Sequence, residues 1–258
     1  MMKWMLFAVV LMAITIIEPA SACAGTSLPC GIPTTAVTPS ESLAHVRAAM
    51  TERHTVNILA LGSASTVGQF PTSSGPNPTA PSLGNSFPMR MLDALRGMRR
   101  NVAFHLDVNG RRGMMAGEML TILRTQLAAH HYDLVLWQTG TVEAVHGVRP
   151  ELLQEALEDG AAAVDDAHAD LVLIDPQFSR FLRANIDIFP YESVLEQATS
   201  YPGVTLFHRM DLTEDWVTNE QVDLERASQK DRDKTIRILN ACLGEALARY
   251  VLNGAAEP

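Results

Sequence analysis

The stretch LALGSASTVG, from Leu59 to Gly68, breaks from an apolar run into glycine and small polar residues. A strand that ends this way in a parallel sheet delivers a tight turn to the sheet's carboxyl edge, where ligands gather and a nucleophile is commonly held. Ala64 stands in the middle of that turn. Outward from it, VNILAL at 56–61, VAFHLDV at 102–108, DLVLWQ at 133–138, DLVLID at 170–175 and VTLF at 204–207 read as buried strands. Helical patterns near 86–98, 114–130, 151–168 and 191–199 separate them, and a last one near 230–252 follows. Continuously apolar strands alternating with helices predict a parallel sheet of about five strands covered on both faces, a three-layer α/β/α sandwich. The loops after Leu61, Val108 and Gln138, and the segment after Phe207, are then the places to seek a site.

The chain has 258 residues, 47% apolar and 19% charged, enough to bury one full core. It opens with Lys3, an apolar run from Trp4 to Ile17, the helix breaker Pro19 and then Ala20-Ser21-Ala22. That order predicts a secretory signal peptide over 1–22, cleaved near Ala22. The alternatives are an uncleaved anchor and a lipoprotein signal through Cys23; the run is short for a membrane span, and Ala20 stands where lipoprotein signals carry Leu. Residues 23–52, rich in Pro, Thr, Ser and Gly as far as Ser40, read as a flexible lead-in, and 53–254 as the folded domain.

Cleavage removes Lys3 and Glu18 together, so the mature net charge stays at −9. An acidic chain of this kind excludes a nucleic-acid partner, which needs clustered Lys and Arg; Arg99-Arg100 and Arg111-Arg112 read as solvated loop ends. Export implies an oxidising compartment, where Cys23 and Cys30 are expected to pair, while Cys242 in its apolar helical pattern reads as a small buried residue. No Cys/His spacing suits a metal, since the adjacent His130 and His131 point to different helix faces, and no cofactor is expected.

Four blocks carry a resemblance. Gly62-Ser63-Ala64 ends the first strand, with NSFPMRML at 85–92 behind it; NGRRGMMAGEML follows the second strand, WQTGTVEAV spans the end of the third, and DLER at 223–226 precedes the last helix. In this order, over residues 56–251, they resemble the SGNH/GDSL hydrolase superfamily, esterases and carbohydrate deacetylases built on a flavodoxin-like sandwich. The resemblance implies the roles. Ala64 occupies the position of the nucleophilic Ser; Gly113, with Gly110 as the alternative, supplies an oxyanion N–H; Val142 stands at the oxyanion Asn; Asp223 is retained as the orienting acid; and Arg226 replaces the His base.

Acyl transfer needs an oxygen nucleophile, a base within reach and donors aimed at the oxyanion. Ala64 has no side-chain oxygen, Arg226 cannot accept a proton, and Val142 donates nothing. Loss of one oxyanion donor alone costs about 100-fold or more in rate. The flanking Ser63 and Ser65 are expected to satisfy N–H groups of the turn. Asp175 and Asp211 end or follow strands with no base paired to them in the sequence. The expectation is an exported domain that has lost ester hydrolysis and binds an envelope glycan, an acylated ligand or a protein partner. The alternative is an active serine esterase or carbohydrate O-deacetylase with a displaced set, Ser65 with His146 or His208.

Overall fold

The computed structural model describes residues 28–69 and 83–256; the signal-peptide reading, Cys23 and most of the loop at 69–84 lie outside the described residues. Five strands, Thr55–Gly62 (β1), Ala103–Gly110 (β2), Leu134–Gln138 (β3), Asp170–Ile174 (β4) and Val204–Phe207 (β5), form one sheet in the order β2-β1-β3-β4-β5. Every pairing is parallel. This is the flavodoxin-like order, and its crevice opens between β1 and β3, where the strand order reverses.

Strand periodicity explains why the central strands are apolar throughout. Ile58, Ala60, Leu134, Leu136, Val172 and Ile174 point into one core, while Leu59, Leu61, Val135, Trp137, Leu171 and Leu173 point into the other. The first core is closed by Phe87–Met98 (α2), Arg209–Thr218 (α8) and Arg232–Gly254 (α9), through residues such as Met91, Trp216 and Leu243. The second is closed by Ala116–Ala129 (α3), Pro150–Asp166 (α5) and Phe189–Ala198 (α7), through Met119, Leu157 and Leu195. Shorter helices, Ala44–Ala48 (α1), Thr141–His146 (α4) and Arg180–Asn185 (α6), complete the α-helices of the described residues. Among the described residues no helix is long and apolar enough to cross a membrane.

The lead-in reading is corrected from Cys30 onward. Val37, Leu43, Val46 and Ala49 are buried in the first core. The backbone is tied down as well: Asn253 Nδ2 donates to Val37 O at 2.7 Å, Leu43 N to Gly254 O at 2.8 Å, Trp216 Nε1 to Gly31 O at 2.6 Å, and Val46 N to Asp170 Oδ2 at 2.9 Å. These contacts rest on single apolar residues at irregular spacing and on backbone groups, neither of which leaves a periodic signal. The cysteine reading is corrected too. Cys30 is bonded to Cys242, with the Cα atoms 6.0 Å apart, and so is not paired with Cys23. The described residues before β1 pack against α9, where Cys30 bonds a partner 212 residues away.

Candidate functional site

The turn after β1 is built on one amide. Gln138, buried at the end of β3, turns Oε1 toward it and accepts from Ser63 N at 3.3 Å, Thr66 Oγ1 at 3.1 Å and Ser65 Oγ at 3.4 Å. Gly62 is required here because a Cβ would lie 2.1 Å from Thr66 Oγ1. Gly110 and Gly113 have separate jobs. Gly110, at φ +144°, lets β2 approach β1, since a Cβ there would lie 1.9 Å from Gly62 O. Gly113 turns its N–H toward the first turn, where it donates to Ser63 Oγ at 3.0 Å. The N–H that the resemblance assigns to the oxyanion therefore already holds a hydroxyl.

A cleft of about 280 Å³ opens over this turn, and Ser63, Ala64, Ser65, Gln138, Thr141 and Val142 line it. Val142 is held in place because the buried Glu143 caps two helices at once: Oε2 accepts from Gly140 N at 2.9 Å and Oε1 from Ala116 N at 2.5 Å. Gln177, Phe178, Arg209 and Leu224 also line the cleft. Arg209, 2% exposed at the start of α8, donates from Nη1 to Ser65 Oγ at 3.2 Å and lies over the Phe87 ring at 5.8 Å. Burial pulls its guanidinium down to about 10, so it remains charged at neutral pH. Burial also pushes Asp175 up to about 8, even though Met210 N donates to its Oδ1 at 2.8 Å and Arg209 favours its charged form.

The DLER block forms a clasp beside the cleft. Arg180 grips Asp223 with both terminal nitrogens, at 3.2 and 2.8 Å, and the N–H groups of Glu225 and Arg226 each donate to Asp223 Oδ1 at 3.1 Å. Burial works to raise the Asp223 carboxyl, but these partners outweigh it and hold the group below its ordinary range. Arg226 itself is 71% exposed, with Nε 3.8 Å from Asp223 Oδ2. Glu225 caps α6, accepting from Ser179 Oγ at 2.6 Å and Arg180 N at 2.9 Å. Asp223 is thus bound to Arg180 rather than free to orient a base.

The displaced candidates do not meet. No histidine is among the described residues lining the cleft. His146 ends α4 and is exposed. His208 faces α7, with Nδ1 3.4 Å from Glu196 Oε1, in a separate depression shared with Asp175 and Asp211. The side-chain partners of Ser65 are Gln138 and Arg209. Among the described residues, no group of three His, Cys, Asp or Glu side chains is placed to hold a metal. Gln138, Arg180, Glu143 and Arg209 are the site residues that sequence reasoning misses. Gln138 left one signal, a polar residue closing the otherwise apolar LVLWQ; Arg209 left none, because HRMD reads as a charged surface turn.

The sequence matches the non-GDSL lipase-like family over residues 29–257. No curated protein matches it. Among solved structures it is similar to LAE5, an α/β hydrolase from the metagenome of Lake Arreo, Spain (TM-score 0.58, 13% identity, 78% of this chain and 94% of that one). It is also similar to a single-substitution mutant of Axe2, an acetyl-xylooligosaccharide esterase from a Geobacillus (TM-score 0.53, 13% identity, 79% and 95%). A two-domain esterase, CEX, active on acetylated mannans, superimposes over 85% of this chain and 55% of its own (TM-score 0.59, 10% identity). At such identities these likenesses speak to the fold alone, a three-layer α/β/α hydrolase-like sandwich. The family match covers nearly the whole described chain and includes the segment from Cys30 that packs onto α9, so the chain belongs to the non-GDSL lipase-like family.

Proposed function

We propose that this chain is an exported member of the family that binds an acylated glycan in the old catalytic cleft without hydrolysing it. One observation carries the reading: the cleft stays open at about 280 Å³ while Ala64 occupies the nucleophile position and the nearby Ser65 hydroxyl faces a guanidinium and an amide instead of a base. A serine hydroxyl is a weak nucleophile until a base takes its proton, and Arg209 cannot do so. The choice of ligand leans on neighbours whose own substrates are acetylated xylo-oligosaccharides and mannans. Export, to the periplasm or the medium, is supported by the opening Lys3, apolar run and Ala20-Ser21-Ala22, and by the Cys30–Cys242 bond, which persists in an oxidising compartment.

Calorimetric titration of the mature domain with acetylated xylo- and manno-oligosaccharides, followed by acetate analysis, tests this. Saturable binding with every acetyl group recovered on the sugar is the expected result. Acetate release that disappears in Ser65→Ala would establish instead an esterase with a displaced catalytic set.

A further inference from the structure

The charge of the cleft is opposite to that of the molecule. The chain carries a net charge of −9, yet the described lining contains two guanidinium groups, Arg112 and Arg209, and no carboxylate. Neither of the two lies within ion-pair distance of a described acid, whereas Arg111, next in sequence, is paired with Glu118. Arg112 is exposed and is held at its backbone, where N donates to Gln69 Oε1 at 3.0 Å.

Arg209 is the stronger observation. A buried guanidinium ordinarily has its donors filled and a counter-charge beside it, because an isolated charge out of water is costly. Here Nη1 reaches only the Ser65 hydroxyl, and Nε is buried without a partner among the described residues. Thr141 Oγ1, also in the cleft lining, is a second buried polar atom lacking a partner. Asp175 is the acid that acts on Arg209, but its Oδ1 is engaged by Met210 N, and burial disfavours its charged form.

We infer that the cleft is built to take an oxyanion of its ligand, a carboxylate or a phosphate, with Arg209 at the floor and Arg112 at the rim. The inference rests on the binding reading above and names what selects the ligand. Guanidinium presents a planar fork of donors that matches both oxyanions, and Thr141 adds a hydroxyl to the same cleft lining. The Ser65 hydroxyl, already engaged by Nη1, then helps to orient the cation rather than to attack.

The test titrates the disulfide-bonded mature domain with three probes: trigalacturonate, glucose 6-phosphate and uncharged acetylated xylotriose. One anionic probe should bind about tenfold or more tightly than the neutral one, and which of the two it is identifies a carboxylate or a phosphate source. Arg112→Ala, at an exposed site that leaves folding alone, should weaken that binding about 3–10-fold and flatten its dependence on salt. Arg209→Met should weaken it more than about tenfold, with the melting temperature followed alongside, because the change also removes the positive charge that acts on the buried Asp175. Equal binding of neutral and anionic probes would overturn the charge selection and leave the binding reading standing. Anion binding untouched by both variants would overturn the site assignment. Binding of no probe at all would count against the inference and the reading beneath it.

Discussion

Replacing Ala64 by serine puts back an oxygen but not the means to deprotonate it. Ala64→Ser alone is therefore expected to show no measurable hydrolysis of p-nitrophenyl acetate. Adding Arg226→His supplies a base, and adding Val142→Asn supplies a donor worth about 100-fold, so turnover should appear in the double variant and rise in the triple. The structure makes this repair harder than the sequence suggests: Arg180 already holds Asp223 at 2.8 Å, and Gly113 N already donates to Ser63 Oγ at 3.0 Å. Arg180→Ala in the triple background should release Asp223 to the new imidazole and raise the rate further. Good hydrolysis by Ala64→Ser alone would mean that the register at positions 64, 142 and 226 is misread. Those three positions were legible because each sits at a strand end or a fixed block. Gln138 and Arg209 were not legible as site residues, since their partners at the turn lie 75 and 144 residues away and are chosen by packing.

At the scale of elements, the close approach of α2 and α9 makes a sharp prediction. Alanine is normally the better helix former by about 1 kcal/mol, but a Cβ on Gly244 would lie 2.6 Å from the backbone carbonyl carbon of Arg90 and the amide nitrogen of Met91. Gly244→Ala should therefore destabilise by about 1–3 kcal/mol, which lowers the melting temperature by roughly 2–4 °C per kcal/mol in a chain of this size. Gly117→Ala on α3, where a Cβ would meet nothing within 4 Å, is the control and should be neutral or slightly stabilising. The five strands and the long helices were readable from sequence because each buries a continuous or periodic apolar face. The short helices α1, α4, α6 and α8 were not. Their stability comes from caps supplied at a distance, such as Asp170 on α1 and Glu225 on α6, rather than from a pattern of their own.

On the scale of the whole molecule, the Cys30–Cys242 bond closes nearly the entire chain, so reduction should loosen everything at once. In the chain-entropy model a loop this long is worth up to about 5 kcal/mol, and thermal melts with and without dithiothreitol should differ by on the order of 10 °C. An unchanged melting temperature would mean that the N-terminal segment is held by its hydrogen bonds alone. The bond joins the entry segment to α9. On the proposed reading, the cleft above the β1 turn binds its ligand without a base-activated serine. The most direct measurement of that claim is intact-mass spectrometry of the mature domain after incubation with a fluorophosphonate, which reacts with base-activated serines. The predicted spectrum shows the unmodified mass; a stoichiometric adduct mapping to Ser63 or Ser65 would contradict the account.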